Sequence, residues 1–151
     1  MSDGIVRVNF SGFDRLKIFL RKIKSEEGDF ETLQKRIGFR ITNTAIPDHF
    51  EKKESPEGEK WADLSDDYKK RKLKKKGTLD ILKSRGNLFE SIGFRYDSTM
   101  LVIGAGNSDV KYAATHNFGD KKRNIPKREF IGLGKQENEI IEEEILRWIS
   151  Q

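Results

Sequence analysis

Two histidines, His49 and His116, are the only imidazoles in this chain. Acid–base chemistry near neutral pH would have to start from one of them. His116 stands four residues after Tyr112, so a helix over that stretch would put a base and a phenol on one face. Such a pair can be catalytic, but neither a Ser nor a Cys nucleophile motif accompanies it. The chain has no cysteine at all, which removes disulfide scaffolds, thiolate catalysis and thiolate-ligated metal from consideration.

The run HNFGDKKRN shares its composition with histidine–metal nuclease loops. Those sites need several convergent ligands, whereas His49 lies far off in a different helix-end context, so the structural reading of His116 is the better one. A histidine near a helix C-terminus ordinarily plugs free carbonyls. IGAGNSD offers Gly104 and Gly106, but Asp109 occupies the place of the third glycine of a dinucleotide fingerprint, and a turn is expected instead. No phosphate-binding loop motif is present. KKRKLKKK, residues 69–76, carries seven cations in eight residues, and DKKRNIPKR adds five more. These runs make Lys72, Lys75, Lys76, Lys121, Lys122 and Arg123 the candidates for facing DNA. Contact would be with the backbone and not with the bases, because only Leu73 interrupts the first run and no stacking platform is visible. The competing reading is a solvated helix face with Leu73 on its core side.

Elements that would position these residues follow from periodicity. IVRVNF alternates as a first strand, and DRLKIFLRKI spaces Leu16, Phe19, Leu20 and Ile23 as a helix stripe. Asp29 is placed to cap a helix striped by Phe30, Leu33, Ile37, Ile41 and Ala45, which Pro47 ends or kinks. Ser65, followed by Asp66 and Asp67, starts the basic helix, and Gly77 stops it. Asn87 and Glu90 fit an N-cap and its partner. IGFRY and MLVIGAG flank DST as a β-hairpin. A short helix over 110–118 closed by Gly119 leads to a terminal helix striped by Ile141, Ile145, Trp148 and Ile149, with an exposed Glu-rich early face. Trp61 and Trp148 are the expected large anchors. This order predicts an α+β fold in one domain over 1–151: a small antiparallel sheet with a central hairpin, packed by N-terminal helices and a C-terminal amphipathic helix.

The bulk numbers fit that picture. A chain of 151 residues buries roughly 68–70% of its unfolded surface without staples. Hydrophobic residues make up 34% and charged residues 36%, with a net charge of +5, which is polar for one core and suits a subunit whose loops are ordered by neighbours. MSDGIVRVNF lacks the apolar core of a signal peptide, and no apolar run is long enough to span a bilayer.

SPEGEKWADLS, LKSRGNLFESI, YAATHNFG and IPKREFIGL, followed by an amphipathic helix ending RWI, resemble in order and spacing the phage virion morphogenesis family, the tail-completion proteins of Mu-like and related contractile-tailed phages. The resemblance runs from the first strand to Trp148. It is carried most specifically by Tyr112-Ala113, His116, Phe118-Gly119 and the string Ile125-Pro126, Arg128, Phe130 and Gly132. The chain departs from the family at Glu129, where proline is usual, at Asn117, where glutamine is common, and at Arg85-Gly86, where a threonine–glycine pair is common. The resemblance implies an assembly protein without enzymatic activity or cofactor, which finishes the tail so that it joins the DNA-filled head. It implies a homo-oligomeric ring at the neck or tail end, with tail-tube or neck/connector proteins as partners and no membrane. The site would be the virion, assembled in the host bacterial cytoplasm. A free-standing module binding DNA non-specifically through the Lys69–Lys76 face is the alternative. On this reading Tyr112, Phe118 and Phe130 pack a corner between the hairpin and the last helix, shaped by Gly119 and Pro126. His116 and Arg128 fix that corner by hydrogen bonds, and GDKKRN projects as a mobile loop.

Overall fold

The computed structural model describes residues 6–9, 30–76, 81–82, 86–97 and 100–150. The helix expected over 14–23, the Asp29 cap and the Gly77 stop lie outside the described residues. Strand β1 (Val6–Asn9) is followed by helix α1 (Phe30–Arg40), a π-helical turn (Ile41–Ala45) and helix α2 (Ile46–Lys52). Then come α3 (Asp66–Lys76), the short α4 (Asn87–Glu90), β2 (Gly93–Tyr96), β3 (Leu101–Ala105), α5 (Ala113–Phe118) and α6 (Lys135–Ile149). The fold is α+β.

The hairpin forms as expected, and β1 adds to its other side, giving an antiparallel sheet of order β1-β3-β2. The register sets Phe94 and Val8 on either side of Ile103. Alternation along β3 sends Leu101, Ile103 and Ala105 into the core cluster. Val102, on the other face, is buried as well. Helix α1 packs across β2 and β3 and comes so close that a Cβ on Gly38 would lie 2.4 Å from the Phe94 ring. Glycine there is what lets helix and sheet touch.

Pro47 does not end the helical run. The chain stays helical from Phe30 to Lys52, through a turn in which the Ile46 N–H reaches the carbonyl of Ile41. Proline lacks an N–H and its ring crowds the carbonyl four residues back, so the wider turn just ahead of it relieves both problems. Lys53, at φ 54°, closes α2 in the left-handed region. At the start of α3 the Ser65 hydroxyl accepts the Tyr68 N–H at 3.3 Å, the expected cap. For α4 the cap is Gly86 (φ 78°), not Asn87, which is the first helical residue.

Phe50 on α2 is the hub of the core. Its ring meets Trp61 and Phe89 edge-on at 5.5 and 5.3 Å and Phe130 at 5.3 Å, geometries that aromatic quadrupoles favour. Trp61 and Trp148 are both buried, as expected. The terminal helix differs from its predicted pattern: its deepest line is Glu137, Ile140, Glu144 and Trp148, with Ile141, Ile145 and Ile149 only partly covered. Two of its glutamates are therefore inside, while Glu139, Glu142 and Glu143 remain exposed.

Candidate functional site

Two distant segments clamp one another by lending side chains to each other's backbone. Trp61 Nε1 donates to the carbonyl of Glu129 at 2.8 Å. Arg128 returns the contact, its Nε donating to the Ala62 carbonyl at 2.8 Å and its Nη2 to the Asp63 carbonyl at 3.1 Å. The Arg128 N–H also donates to the carbonyl of His116 at 2.8 Å, which satisfies an end of α5. Arg128 is 6% exposed, and burial holds its pKa below the ordinary guanidinium value.

Asn117 locks the next residues. Its Oδ1 accepts the N–H groups of Phe130 and Ile131 at 2.9 and 3.0 Å, and its Nδ2 donates to the Ile131 carbonyl at 3.4 Å. An amide side chain thus replaces a neighbouring strand. Gly119 must be glycine, because its φ is 77° and a Cβ would meet the Lys127 nitrogen at 2.9 Å. Beyond it, residues 120–125 close as a tight turn: Asp120 and Ile125 exchange backbone hydrogen bonds at 2.8 Å in both directions. Arg123 Nε donates to Asp120 at 2.7 Å and its Nη2 to the Thr115 hydroxyl at 3.1 Å. The Arg123–Asp120 hydrogen bond holds the Asp120 carboxyl below its usual range.

Between this turn, α3 and the start of α4 lies an open cleft of about 1370 Å³. Helix α3 offers it Tyr68, Arg71 and Lys72, and Lys75 stands on the same stripe one turn further on. The other wall contributes Lys121, Arg123, Lys127 and Arg128. The two basic runs, about fifty residues apart in sequence, therefore converge on one concave surface. Asp63 and Asp120 stand among these cations, and the lining is also apolar, including Leu64, Leu82 and Pro126. His116 sits in the wall beside the Tyr112 ring, edge-on at 5.7 Å. Burial first, then the charges of Arg128, Arg123 and Lys72, push its pKa below the ordinary imidazole value.

The predicted site residues separate as follows. Phe130 is fully buried, but Phe118 is 60% and Tyr112 42% exposed, so neither fills a corner of the core. His116 shapes the site through its backbone carbonyl; its Nδ1 is buried without a hydrogen-bond partner among the described residues. Arg128 bonds the Ala62 and Asp63 carbonyls, Gly119 opens the turn at positive φ, and Pro126 is exposed and lines the cleft. GDKKRN is a closed turn, not a projecting loop, because Asp120 both caps it and binds Arg123. Lys121, Lys122 and Arg123 are exposed on it. On α3, Lys72 is 5% exposed and Leu73 51% exposed. This reverses the expected faces: Lys72 lines the inner wall, and Leu73 is not on the core side. Lys75 is exposed, and the side chain of Lys76 lies outside the described residues.

Sequence reasoning missed Asn117 as the holder of the corner, and it missed a buried tie between α2 and α6. His49 Nε2 lies 2.5 Å from Glu137 Oε1, both residues being buried. The other oxygen of Glu137 accepts the Gly134 N–H at 3.0 Å, and that capping relation between a carboxylate and the residue three before it was the signal available in the sequence. Among the described residues no three metal-ligating side chains stand together, and no helix is long and apolar enough to cross a membrane.

Comparison with known proteins bears out the resemblance. The profile of the phage virion morphogenesis family matches residues 12–150. The Mu-like prophage FluMu G protein 1 of Haemophilus influenzae is 38% identical over 88 residues, 57% of this chain and 57% of that protein. An uncharacterized protein of Methanocaldococcus jannaschii is 40% identical over 84 residues, 54% of this chain and 58% of its own length. The chain thus matches little more than half the length of these curated relatives. No solved structure matches it.

Proposed function

The chain belongs to the phage virion morphogenesis family, and from that premise we propose that it completes the phage tail and supports stable joining of tail to head as a subunit of a ring. Its broad role is structural, in building the phage particle. The observation that carries the finer reading is the family match across nearly the whole described chain, joined to a Mu-like prophage relative. The ring reading is supported by the distribution of charge. A cationic cleft on one part of the surface and an acidic helix face on another suit a head-to-tail contact, which forms a ring when the rotation between subunits closes.

In this reading the protein acts by shape and charge, without turnover, cofactor or membrane, and remains in the virion after assembly in the host bacterium. Tail-tube or neck proteins are its partners. Backbone contact with passing DNA is a secondary role for the outward lysines of α3, among them Lys70 and Lys74. Repetition around a ring would sum individually weak contacts.

The test is deletion of the gene in an inducible prophage, followed by electron microscopy of the lysate. Separate filled heads and unattached tails are expected, with joining restored by supplying the protein. Intact infectious particles from the deletion strain would overturn the reading.

A further inference from the structure

We infer that the basic cleft between α3 and the 119–128 segment is the socket for the acidic outer face of helix α6 from a second copy of this chain. The inference deepens the ring reading and rests on it. The cleft's chemistry selects the occupant. Its floor carries the buried cations Lys72 and Arg128, and Arg71, Lys121 and Lys127 stand further out. Its rim presents the exposed rings of Tyr68, Tyr112 and Phe118, at 43%, 42% and 60%. Asp63 and Asp120 also line the cleft, each already paired with a cation of its own chain, Lys69 and Arg123, so what favours a helix over a nucleic-acid strand is the apolar and aromatic part of the lining. An amphipathic helix bearing carboxylates and a large aliphatic side chain fits both the charge and the apolar lining, and aromatic and arginine groups are what anchor such contacts.

The same chain carries that helix face. Glu139, Glu142, Glu143 and Leu146 recur at the spacing of one α-helical stripe on α6, all exposed, with Leu146 at 59%. Glu143 is bound by Arg40, and Phe39, the residue before that arginine, is itself 59% exposed. The stripe therefore combines three carboxylates with exposed apolar groups. Helix α6 packs on α1 and the π-turn, whereas the cleft is built by α3, α4, α5 and the turn after it. The contact is thus heterologous, and it leaves one socket and one helix face unfilled until the circle closes.

The experiment uses two charge-reversed variants at exposed positions: Glu139→Lys with Glu142→Lys on the helix, and Lys121→Glu with Lys127→Glu in the cleft. Sedimentation velocity at low ionic strength, where pairing is least screened, is run on the wild type, each variant and their equimolar mixture. Circular dichroism and thermal melting confirm that each variant is folded. The wild type is expected to self-associate and each variant alone to associate more weakly by about tenfold or more, since like charges then face each other. The mixture should recover association, because every socket then meets a helix of opposite charge. Association unchanged in both variants would overturn this interface while leaving a ring possible through another surface. A wild type that stays monomeric at high concentration, and also in the presence of tail-tube protein, would overturn the interface and the ring together. If the cleft variant loses only the binding of random duplex DNA, measured by fluorescence anisotropy, the cleft is a DNA site and the inference fails.

Discussion

Asn117 shows how much one side chain can carry. It is fully buried and meets the backbone of Phe130 and Ile131 on both the donor and acceptor side. Replacement by Ala leaves two buried amides unpaired, each costing about 1–3 kcal/mol. Asn117→Ala should therefore lower the urea midpoint by more than removal of the neighbouring exposed ring in Phe118→Ala, measured in the same buffer. His116 makes a different prediction. Burial and the cations around it place its folded-state pKa below the unfolded value, so the unfolded chain binds the proton more readily. The stability it permits is full above about pH 6.5, the unfolded value, and falls as the pH drops from there through the folded-state pKa. His116→Gln should accordingly flatten the loss of stability between about pH 7.5 and 5. Equal slopes in the two proteins would remove His116 as a source of acid lability.

Helix α3 is the element whose charge pattern misleads. Seven cations in eight residues cannot share one face, because the helix turns each about 100° from the last, but Leu73, the one apolar residue among them, does not mark the inner side. Lys72 is buried in the cleft wall, Lys69 binds Asp63 at 2.7 Å, and Lys74 is exposed. The buried stem of Lys72 contributes by packing as well as by charge. Lys72→Ala should cost about 0.8 kcal/mol for each buried methylene removed, whereas Lys74→Ala should stay within about 0.5 kcal/mol of the wild type. Chemical denaturation of the two variants distinguishes them, and equal stability would show that Lys72 is not held as described. The approach of α6 to the 55–58 loop depends on a glycine in the same way. A Cβ at Gly134 would fall 1.7 Å from the Pro56 carbonyl oxygen, too close for the loop and the helix start to coexist as they stand.

Over the whole molecule, stability should be graded outward from the middle strand. β3 pairs on both edges and is buried on both faces, whereas β2 is mostly exposed. Native-state hydrogen exchange should place the slowest amides in Leu101–Ala105 and in α1 beneath them, with the 120–125 turn opening at much lower free energy. Uniform protection across these segments would contradict a core centred on β3 and the Phe50 cluster. The same grading suits an assembly subunit, because the cleft and the acidic helix face lie at the margins of the core and can adjust without unfolding it.

The hairpin, the cap at Ser65, the Gly119 stop and both buried tryptophans were legible in the sequence, because each depends on local periodicity or on the φ of one residue. The family was legible too, in the order of motifs from SPEGEKWADLS to IPKREFIGL. Folding alone settled which side chains faced inward. Lys72 and not Leu73 lines the cleft wall, Phe130 and not Phe118 enters the core, and Glu137 and Glu144 lie beneath a helix whose other glutamates stay wet. Burial of a charged group is decided by partners tens of residues away, such as His49 for Glu137 and Arg40 for Glu144, and no local pattern encodes where those partners will stand. The convergence of two basic runs on one cleft has the same origin: it comes from the Trp61–Arg128 clamp, a contact between segments more than sixty residues apart.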